Sequence, residues 1–279
     1  MILDGKIVSK NIKDSIKNEI DTYISLGNRK PKLVIVQVGE VMASNIYVKN
    51  KIKACSYVGM DAEHIKLSEG ISEEELLNII IQLNKNDEID GLIVQLPLPK
   101  HINEDKIINM IDSSKDVDGF GLLNKGRLFS GLNGFKCATP YGIIKLLEFY
   151  NIDFKGKQAC VIGRSNIVGK PMAIMLLDKH CTVTICHSRT ENLKDITRQA
   201  DILVSAVGKA KFVSVDMVKP GATVVDVGMN RDENGLCGDV DFENVEKIAG
   251  YISPVPGGVG PLTIAMLLSN TLESYKNKL

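Results

Sequence analysis

The sequence predicts an α/β protein built as two α/β lobes with a cleft between them, the C-terminal one Rossmann-like. Short apolar runs rich in β-branched residues alternate with helix-period segments along the chain, as parallel sheets with covering helices require. The alternation starts afresh in the second half, with strands expected at 158–162, 182–186, 201–205 and 223–227. Between the halves an irregular stretch carries glycine at 119, 121, 126, 131 and 134. That break sets the expected boundary, one domain over 1–120 and a second over 121–279.

In order, Ile12, Ile16, Ile20 and Ile24 recur at helical spacing and predict a first helix over 9–27, stopped at Gly27. Leu33 to Val38 is an apolar run with Gln37 as its one polar residue and ends at Gly39, the pattern of a strand buried on both faces. Charged helices at 44–58 and 72–85 then alternate with strands at 62–67 and Gly91–Leu96. The second half opens on its own strand at 158–162, followed by a loop and an apolar helix. A last helix from about 260 to 278 can pack on either lobe.

Composition narrows the function. The 279 residues suffice for one large or two medium domains, and 44% hydrophobic with 24% charged residues is ordinary for a globular chain. Lys plus Arg and Asp plus Glu each total 34, so no global field favours nucleic acid or anionic membrane, and any anion site is local. Asp4, Lys6 and Lys10 interrupt the apolar run a signal peptide needs, and no stretch approaches the ~20 apolar residues of a membrane span. A cytoplasmic protein is expected. The cysteines (Cys55, Cys137, Cys160, Cys181, Cys186, Cys237) form no CxxC pair and read as small buried hydrophobes. Strand alternation points Cys181 and Cys186 to opposite faces, so with His187 they are not expected to bind metal.

Gly163-Arg164-Ser165-Asn166-Ile167-Val168-Gly169 joins the 158–162 strand to its helix. A strand that stops at glycine and feeds a helix N-terminus directs amides and the positive end of a dipole at one spot, an anion cradle in outline. It is neither GxGxxG nor a Walker loop, and a purely structural turn is the competing reading. The next strand runs into His187-Ser188-Arg189-Thr190 without the carboxylate that takes ribose hydroxyls in an NAD site. Ser188 and Arg189, with Arg164, suit a 2′-phosphate and point to NADP; otherwise Arg189 is a surface cation.

Four further stretches carry candidate chemistry. On a helix capped near Ser44, Tyr47 and Lys51 stand at i and i+4 and share a face. A lysine buried against a tyrosine is pushed toward neutrality and can move protons; from the helix alone, a solvated cation among Lys49, Lys51 and Lys53 is the simpler reading. Gln95 ends a buried strand, where ligands of open sheets gather, or it satisfies loop backbone. In Lys115-Asp116-Val117-Asp118-Gly119-Phe120 the carboxylates lack further oxygen ligands for a metal; one suits a donor-rich ring edge, or both cap a turn. Ser253 to Thr263, with three glycines in the four residues 257–260 fenced by prolines, allows close backbone approach to a ligand and reads as a binding loop, an ordinary connection being the competing reading.

Together these motifs resemble, over essentially the whole chain, the bifunctional methylenetetrahydrofolate dehydrogenase/methenyltetrahydrofolate cyclohydrolase family. The resemblance rests on Val38-Gly39 with Ser44, Tyr47 and Lys51; Gln95-Leu96-Pro97-Leu98-Pro99; Lys115 to Phe120; Thr139-Pro140; Gly163-Arg164-Ser165 with Ile167-Val168-Gly169; and His187 to Thr190. It continues through Ala206-Val207-Gly208-Lys209, Lys219-Pro220-Gly221, Asp226-Val227-Gly228, Gly238-Asp239-Val240 and Pro254 to Pro261. It implies oxidation of 5,10-methylenetetrahydrofolate with NADP and hydrolysis of the product to 10-formyltetrahydrofolate, in one-carbon metabolism serving purine biosynthesis. It implies that Lys51 is the catalytic lysine, Tyr47 a substrate-stacking neighbour, Gln95 the residue orienting the lysine, and Asp118 the partner of the pterin-like ring. It also implies that Pro256 and Gly257 touch substrate, that Gly163, Arg164, Ser165, Ile167, Ser188, Arg189 and Met229 hold NADP, and that the chain forms a homodimer through the nucleotide-binding lobe.

The chain departs from the family pattern at Gly121, where His is usual, and at Lys136-Cys137-Ala138, where Pro-Cys commonly precedes Thr139. Ala210 stands in place of Pro and Ser253 in place of a frequent Thr. Gly121 and the missing proline are expected to loosen the inter-domain connection and the edge of the substrate pocket. A monofunctional NAD(P)-dependent dehydrogenase leaves the Lys51 and Gln95 pair without a role, and a non-enzymatic NADP-binding module leaves Tyr47 and Asp118 without one as well.

Overall fold

The computed structural model describes residues 1–40, 42–233 and 235–279, with only the backbone of Met42 and Ala43. The chain divides into two compact units, a first of Lys10–Ala138 with Ile264–Leu279 and a second of Met1–Ser9 with Thr139–Thr263.

The first unit holds most of α1 (Gly5–Ser25), then β1 (Lys32–Val38), α2 (Met42–Val58), β2 (Asp61–Leu67), α3 (Glu73–Asn84), β3 (Gly91–Val94), α4 (Glu104–Met110) and α5 (Leu122–Phe129). Its parallel sheet has the order β2-β1-β3. The apolar run of β1, broken only by Gln37, follows from its central place: Leu33 and Ile35 enter one core with Ile20, Val48, Val58 and Leu268. Val34, Val36 and Val38 enter another with Leu76, Ile80 and Ile107. The edge strand β2 instead alternates between exposed and half-buried positions. A capping box between Ser72 and Glu75 starts α3, as the sequence signal Ser-x-x-Glu requires. Under the sheet, Asp90 is fully buried and accepts both guanidinium nitrogens of Arg29, each at 2.7 Å.

The glycine-rich stretch expected to separate domains belongs largely to this unit. Within it, α5 is fastened by Asn124, whose Nδ2 donates to Asp116 Oδ2 at 2.9 Å, while Phe135 joins the core and the Cys137 thiol donates to the Gly119 carbonyl. Gly121 is tied too: its amide donates to Asp116 Oδ2 at 2.9 Å, the very atom a Cβ there would crowd at the same distance. The expected loosening at this position is replaced by an anchored helix start.

The second unit contains α6 (Ala138–Phe149) from its second residue, then β4 (Gln158–Ile162), α7 (Gly169–Asp178), β5 (Thr182–Cys186), α8 (Leu193–Thr197), β6 (Ile202–Ser205) and β7 (Thr223–Asp226). A hairpin of β8 (Asn230–Asp232) and β9 (Gly235–Cys237) follows, then α9 (Phe242–Val245) and β10 (Tyr251–Ile252). Its parallel sheet has the order β10-β7-β6-β4-β5, so successive strands are added first to one side of β4 and then to the other, the switch point at whose carboxyl ends ligands of such sheets bind. The last helix, α10 (Val259–Lys276), starts here and passes into the first unit after Thr263. Among the described residues no helix is long and apolar enough to cross a membrane.

Candidate active site and nucleotide loop

In the first unit Lys51 lies against Gln95 and near Asp118. Helix α2 begins at Met42, so Ser44 lies inside it, buried, with its hydroxyl donating to the Leu96 carbonyl at 3.4 Å. The helix turns Val48, Cys55 and Val58 into the core, and the same rotation carries Lys51 inward while Lys49 and Lys53 stay exposed. Lys51 is only 7% exposed, against the simpler reading of a solvated cation. Its Nζ donates to Gln95 Oε1 at 3.1 Å. Gln95 follows the last residue of β3, its backbone amide still bonded to the Val36 carbonyl, and its Nε2 donates to the Leu96 carbonyl at 2.8 Å, which turns Oε1 toward the lysine.

Burial lowers the affinity of Lys51 for its proton, opposed by the nearby Asp118 carboxylate and the Cys55 thiol. Asp118 is shifted the opposite way: burial raises its carboxyl, and Lys51 alone pulls it back. Both shifts favour the neutral forms, so desolvation outweighs their mutual attraction. Burial also raises the phenol of half-buried Tyr47, and pushes the Cys55 thiol up to about 12, leaving it a neutral neighbour one turn beyond Lys51. A dry amine with a lowered proton affinity, donating to the Gln95 amide oxygen, is suited to proton transfer.

Two further residues support this site, Asp116 in the turn-capping role that the sequence left open and Gln37, which sequence reading missed. Asp116 accepts from the amides of Phe120 and Gly121 and from Asn124, shaping the turn that carries Asp118; burial raises its carboxyl to about 6. Gln37 of β1 donates to Asn45 Oδ1 at 2.6 Å and to the Gly39 carbonyl at 3.1 Å, and tethers the first turns of α2 to the sheet. A polar residue within an apolar strand is the only mark Gln37 leaves in the sequence.

In the second unit the loop from Gly163 to Gly169 closes on itself. Gly163 has φ +125°, and a Cβ there would lie 2.4 Å from the Ala206 carbonyl oxygen. At Gly169 a Cβ would meet the Gly163 carbonyl oxygen at 2.2 Å, so both ends of the loop require glycine. Ser165 Oγ accepts the Val168 and Gly169 amides at 3.1 and 3.3 Å, and the Ser165 carbonyl accepts the Lys170 amide. The first turn of α7 is therefore satisfied from within. The amides of 164–167, in contrast, take part in no hydrogen bond among the described residues and are the loop's donors to an anion. Arg164 is exposed, as are Ser188 and Arg189 at the end of the adjacent strand β5, whose Cys186 carbonyl accepts the Gly163 amide at 2.8 Å. The Arg189 amide donates to His187 Nδ1, and Thr190 Oγ1 accepts the His187 amide, so this turn is internally fixed. Half-buried Ile167 belongs to the loop, and Met229, 49% exposed, follows the carboxyl end of β7. These residues fit a dinucleotide carrying an extra phosphate: free loop amides for the pyrophosphate, and cations with no carboxylate at the β5 end.

Pro256 and Gly257 have a packing role that their glycine-rich context did not reveal. The Gly5 amide donates to the Gly257 carbonyl at 2.9 Å, and a Cβ at Gly5 would overlap Gly258. The loop thus clasps the start of α1, with Pro256 exposed and Gly257 buried.

The geometry agrees with the comparisons. Residues 3–118 match the family model for the catalytic domain of tetrahydrofolate dehydrogenase/cyclohydrolase, and 137–279 match its NAD(P)-binding domain. The bifunctional protein FolD of Sulfurihydrogenibium sp. is 55% identical over 100% of this chain and 99% of its own. The crystal structure of the bifunctional FolD dehydrogenase/cyclohydrolase from Campylobacter jejuni superposes with a TM-score of 0.98 at 50% identity, covering 100% of this chain and 99% of that one. The Trypanosoma brucei enzyme, solved with NADP cofactor and inhibitor, gives a TM-score of 0.95 at 35% identity, covering 100% and 98%.

Proposed function

The chain belongs to the tetrahydrofolate dehydrogenase/cyclohydrolase family, and we propose that buried Lys51, aimed by Gln95, performs the proton chemistry while the second unit holds the cofactor. The protein is a bifunctional enzyme of one-carbon metabolism. It oxidises 5,10-methylenetetrahydrofolate to the 5,10-methenyl cation with NADP and hydrolyses that cation to 10-formyltetrahydrofolate.

NADP, when bound, accepts the hydride lost from the methylene carbon. The folate left behind is an amidinium-like cation, already an electrophile for water, so the chain has only to position the ring, exclude bulk solvent and manage protons. Tyr47 stacks on the folate, and Asp118 takes the donor-rich edge of the pterin. A protonated lysine would repel the methenyl carbon; the lowered affinity of Lys51 leaves it able to take a proton from water as the C–O bond forms. When the C–N5 bond breaks, the Lys51 ammonium supplies the proton to N5 and the carbinol proton leaves to solvent, so one proton is released overall. Pro256 and Gly257 contribute to folate binding, and Gly163 to Ile167, Ser188, Arg189 and Met229 hold NADP.

The burial of Lys51 at 3.1 Å from Gln95 carries the reading. Incubation with methylenetetrahydrofolate and either NADP or NAD tests it. Reduction preferring NADP with only transient methenyl absorbance is expected; persistent methenyl would indicate a monofunctional dehydrogenase, and no folate-dependent reduction would remove the enzymatic reading. We also propose a cytoplasmic homodimer that supplies purine biosynthesis, formed through the second unit, whose edge strand β5 exposes Thr182, Thr184 and Ile185.

A further inference from the structure

Five donors converge on the fully buried carboxylate of Asp239. Its Oδ2 accepts the Val207 and Gly208 amides at 2.7 and 3.2 Å and the Ser205 hydroxyl at 3.2 Å. Its Oδ1 accepts the Lys209 amide and Asn230 Nδ2, both at 2.9 Å. Three successive amides curled about an anion form a nest, a device loops use for phosphates; here the chain's own side chain fills it. The backbone of Asp239 is gripped in turn. Its amide and that of Val240 donate to the buried carboxylate of Asp226 at 2.9 and 2.8 Å, which also accepts the Gly228 amide at 2.9 Å. A Cβ on Gly228 would lie 2.2 Å from Asp239 Oδ1, and one on Gly238 1.9 Å from Asp226 Oδ2, so neither loop can slide.

All five of these donors to Asp239 are neutral, so no cation offsets the desolvation of the carboxylate, and three of them are backbone amides that would lose their acceptor without it. What the carboxylates do fix is geometry. Asp239 binds the loop after β6, and with Asp226 it binds the loop after β7 that carries Met229. The β6 loop also abuts the cradle, since Gly163 lies against the Ala206 carbonyl. In a sheet of this order the ribose of the adenosine half lies toward β5 and the nicotinamide half toward β6 and β7.

We propose that Asp239, oriented by Asp226, is a positioning residue for the cofactor: it sets the Val207–Lys209 and Gly228–Asn230 loops as the walls that receive the nicotinamide half of NADP. This rests on the reading of the second unit as the NADP site. Asp239→Asn in the full-length enzyme turns an amide donor toward amide donors and should splay the β6 loop. Asn230→Ala removes one anchor and leaves the nest intact. The expected result is a KM for NADP raised about tenfold or more in Asp239→Asn and a few-fold in Asn230→Ala, the loss expected for charge-assisted bonds. In both, kcat at saturating NADP falls less, and hydrolysis of supplied methenyltetrahydrofolate without NADP is unchanged. An unaltered KM for NADP in either folded variant overturns the proposal, as does an equal loss of hydrolysis. Should Asp239→Asn fail to fold, Asn230→Ala decides alone. Wild-type enzyme that neither binds nor reduces NADP would instead remove the function on which the proposal rests.

Discussion

Replacing Lys51 by methionine separates catalysis from stability, because the two side chains have similar length and the site is already largely dry. The substitution removes one hydrogen bond, 3.1 Å to Gln95 Oε1, and leaves that oxygen on a half-buried residue that water can reach. The cost is about 1 kcal/mol, offset in part because no amine has to be desolvated. The melting temperature should therefore move by no more than roughly 2–4 °C. Catalysis loses a positioned base, worth about 10²–10⁴ in rate, or roughly 3–5 kcal/mol of barrier. Following the decay of methenyl absorbance in enzyme-free, wild-type and variant samples, beside a thermal melt, measures both quantities. Hydrolysis within a few-fold of wild type by a folded variant would refute the assignment of Lys51. A collapse in melting temperature would refute the claim that its burial serves chemistry and not the core.

Other substitutions probe the remaining parts. Gly163→Ala would force a Cβ to 2.4 Å from the Ala206 carbonyl oxygen at φ +125°. The backbone strain alone is about 1–3 kcal/mol, and the displaced cradle should raise KM for NADP at least tenfold while hydrolysis of methenyltetrahydrofolate persists; normal NADP kinetics would contradict the close packing. Arg189→Ala should weaken NADP by about one exposed charge-assisted contact, several-fold in KM, and leave NAD unaffected; an equal loss for both dinucleotides would mean that Arg189 does not meet the 2′-phosphate. Asn124→Leu strips a donor from buried Asp116 and should destabilise the first unit by about 1–3 kcal/mol, visible as a lower denaturant midpoint; an unchanged midpoint would show that the Asp116 turn stands on its two amides alone.

What the sequence revealed and concealed follows from the range of the interactions. Period and composition identified β1 because burial on both faces writes itself into consecutive residues, and they identified the Gly163–Gly169 loop because close backbone approach admits only glycine. The i, i+4 relation put Tyr47 and Lys51 on one helix face, yet could not say which face turns inward; that depends on Val48, Cys55 and Val58 meeting strands far along the chain. Glycine density at 119–134 suggested a linker because Asp116, which fastens α5, takes two donors from backbone amides, and nothing in the spacing pairs it with its side-chain donor Asn124. Ser165 shows the same limit. Its hydroxyl accepts the Val168 and Gly169 amides at the start of α7, and the free donors of the loop are backbone groups that any sequence would have. Asp226 and Asp239 stood out only as parts of short motifs, with nothing in their spacing to pair them.

The central claim is that Lys51 is neutral when water attacks, and its titration tests this most directly. Lysine-selective isotope labelling, with the Lys51 resonance identified by its loss in Lys51→Met, can be followed over pH beside the rate of methenyltetrahydrofolate hydrolysis. A lowered affinity means that Lys51 loses its proton below the ordinary lysine value of about 10.4. Hydrolysis should accordingly rise with pH through that midpoint and level off above it. Titration of Lys51 at the ordinary lysine value, with hydrolysis already level well below it, would contradict the account.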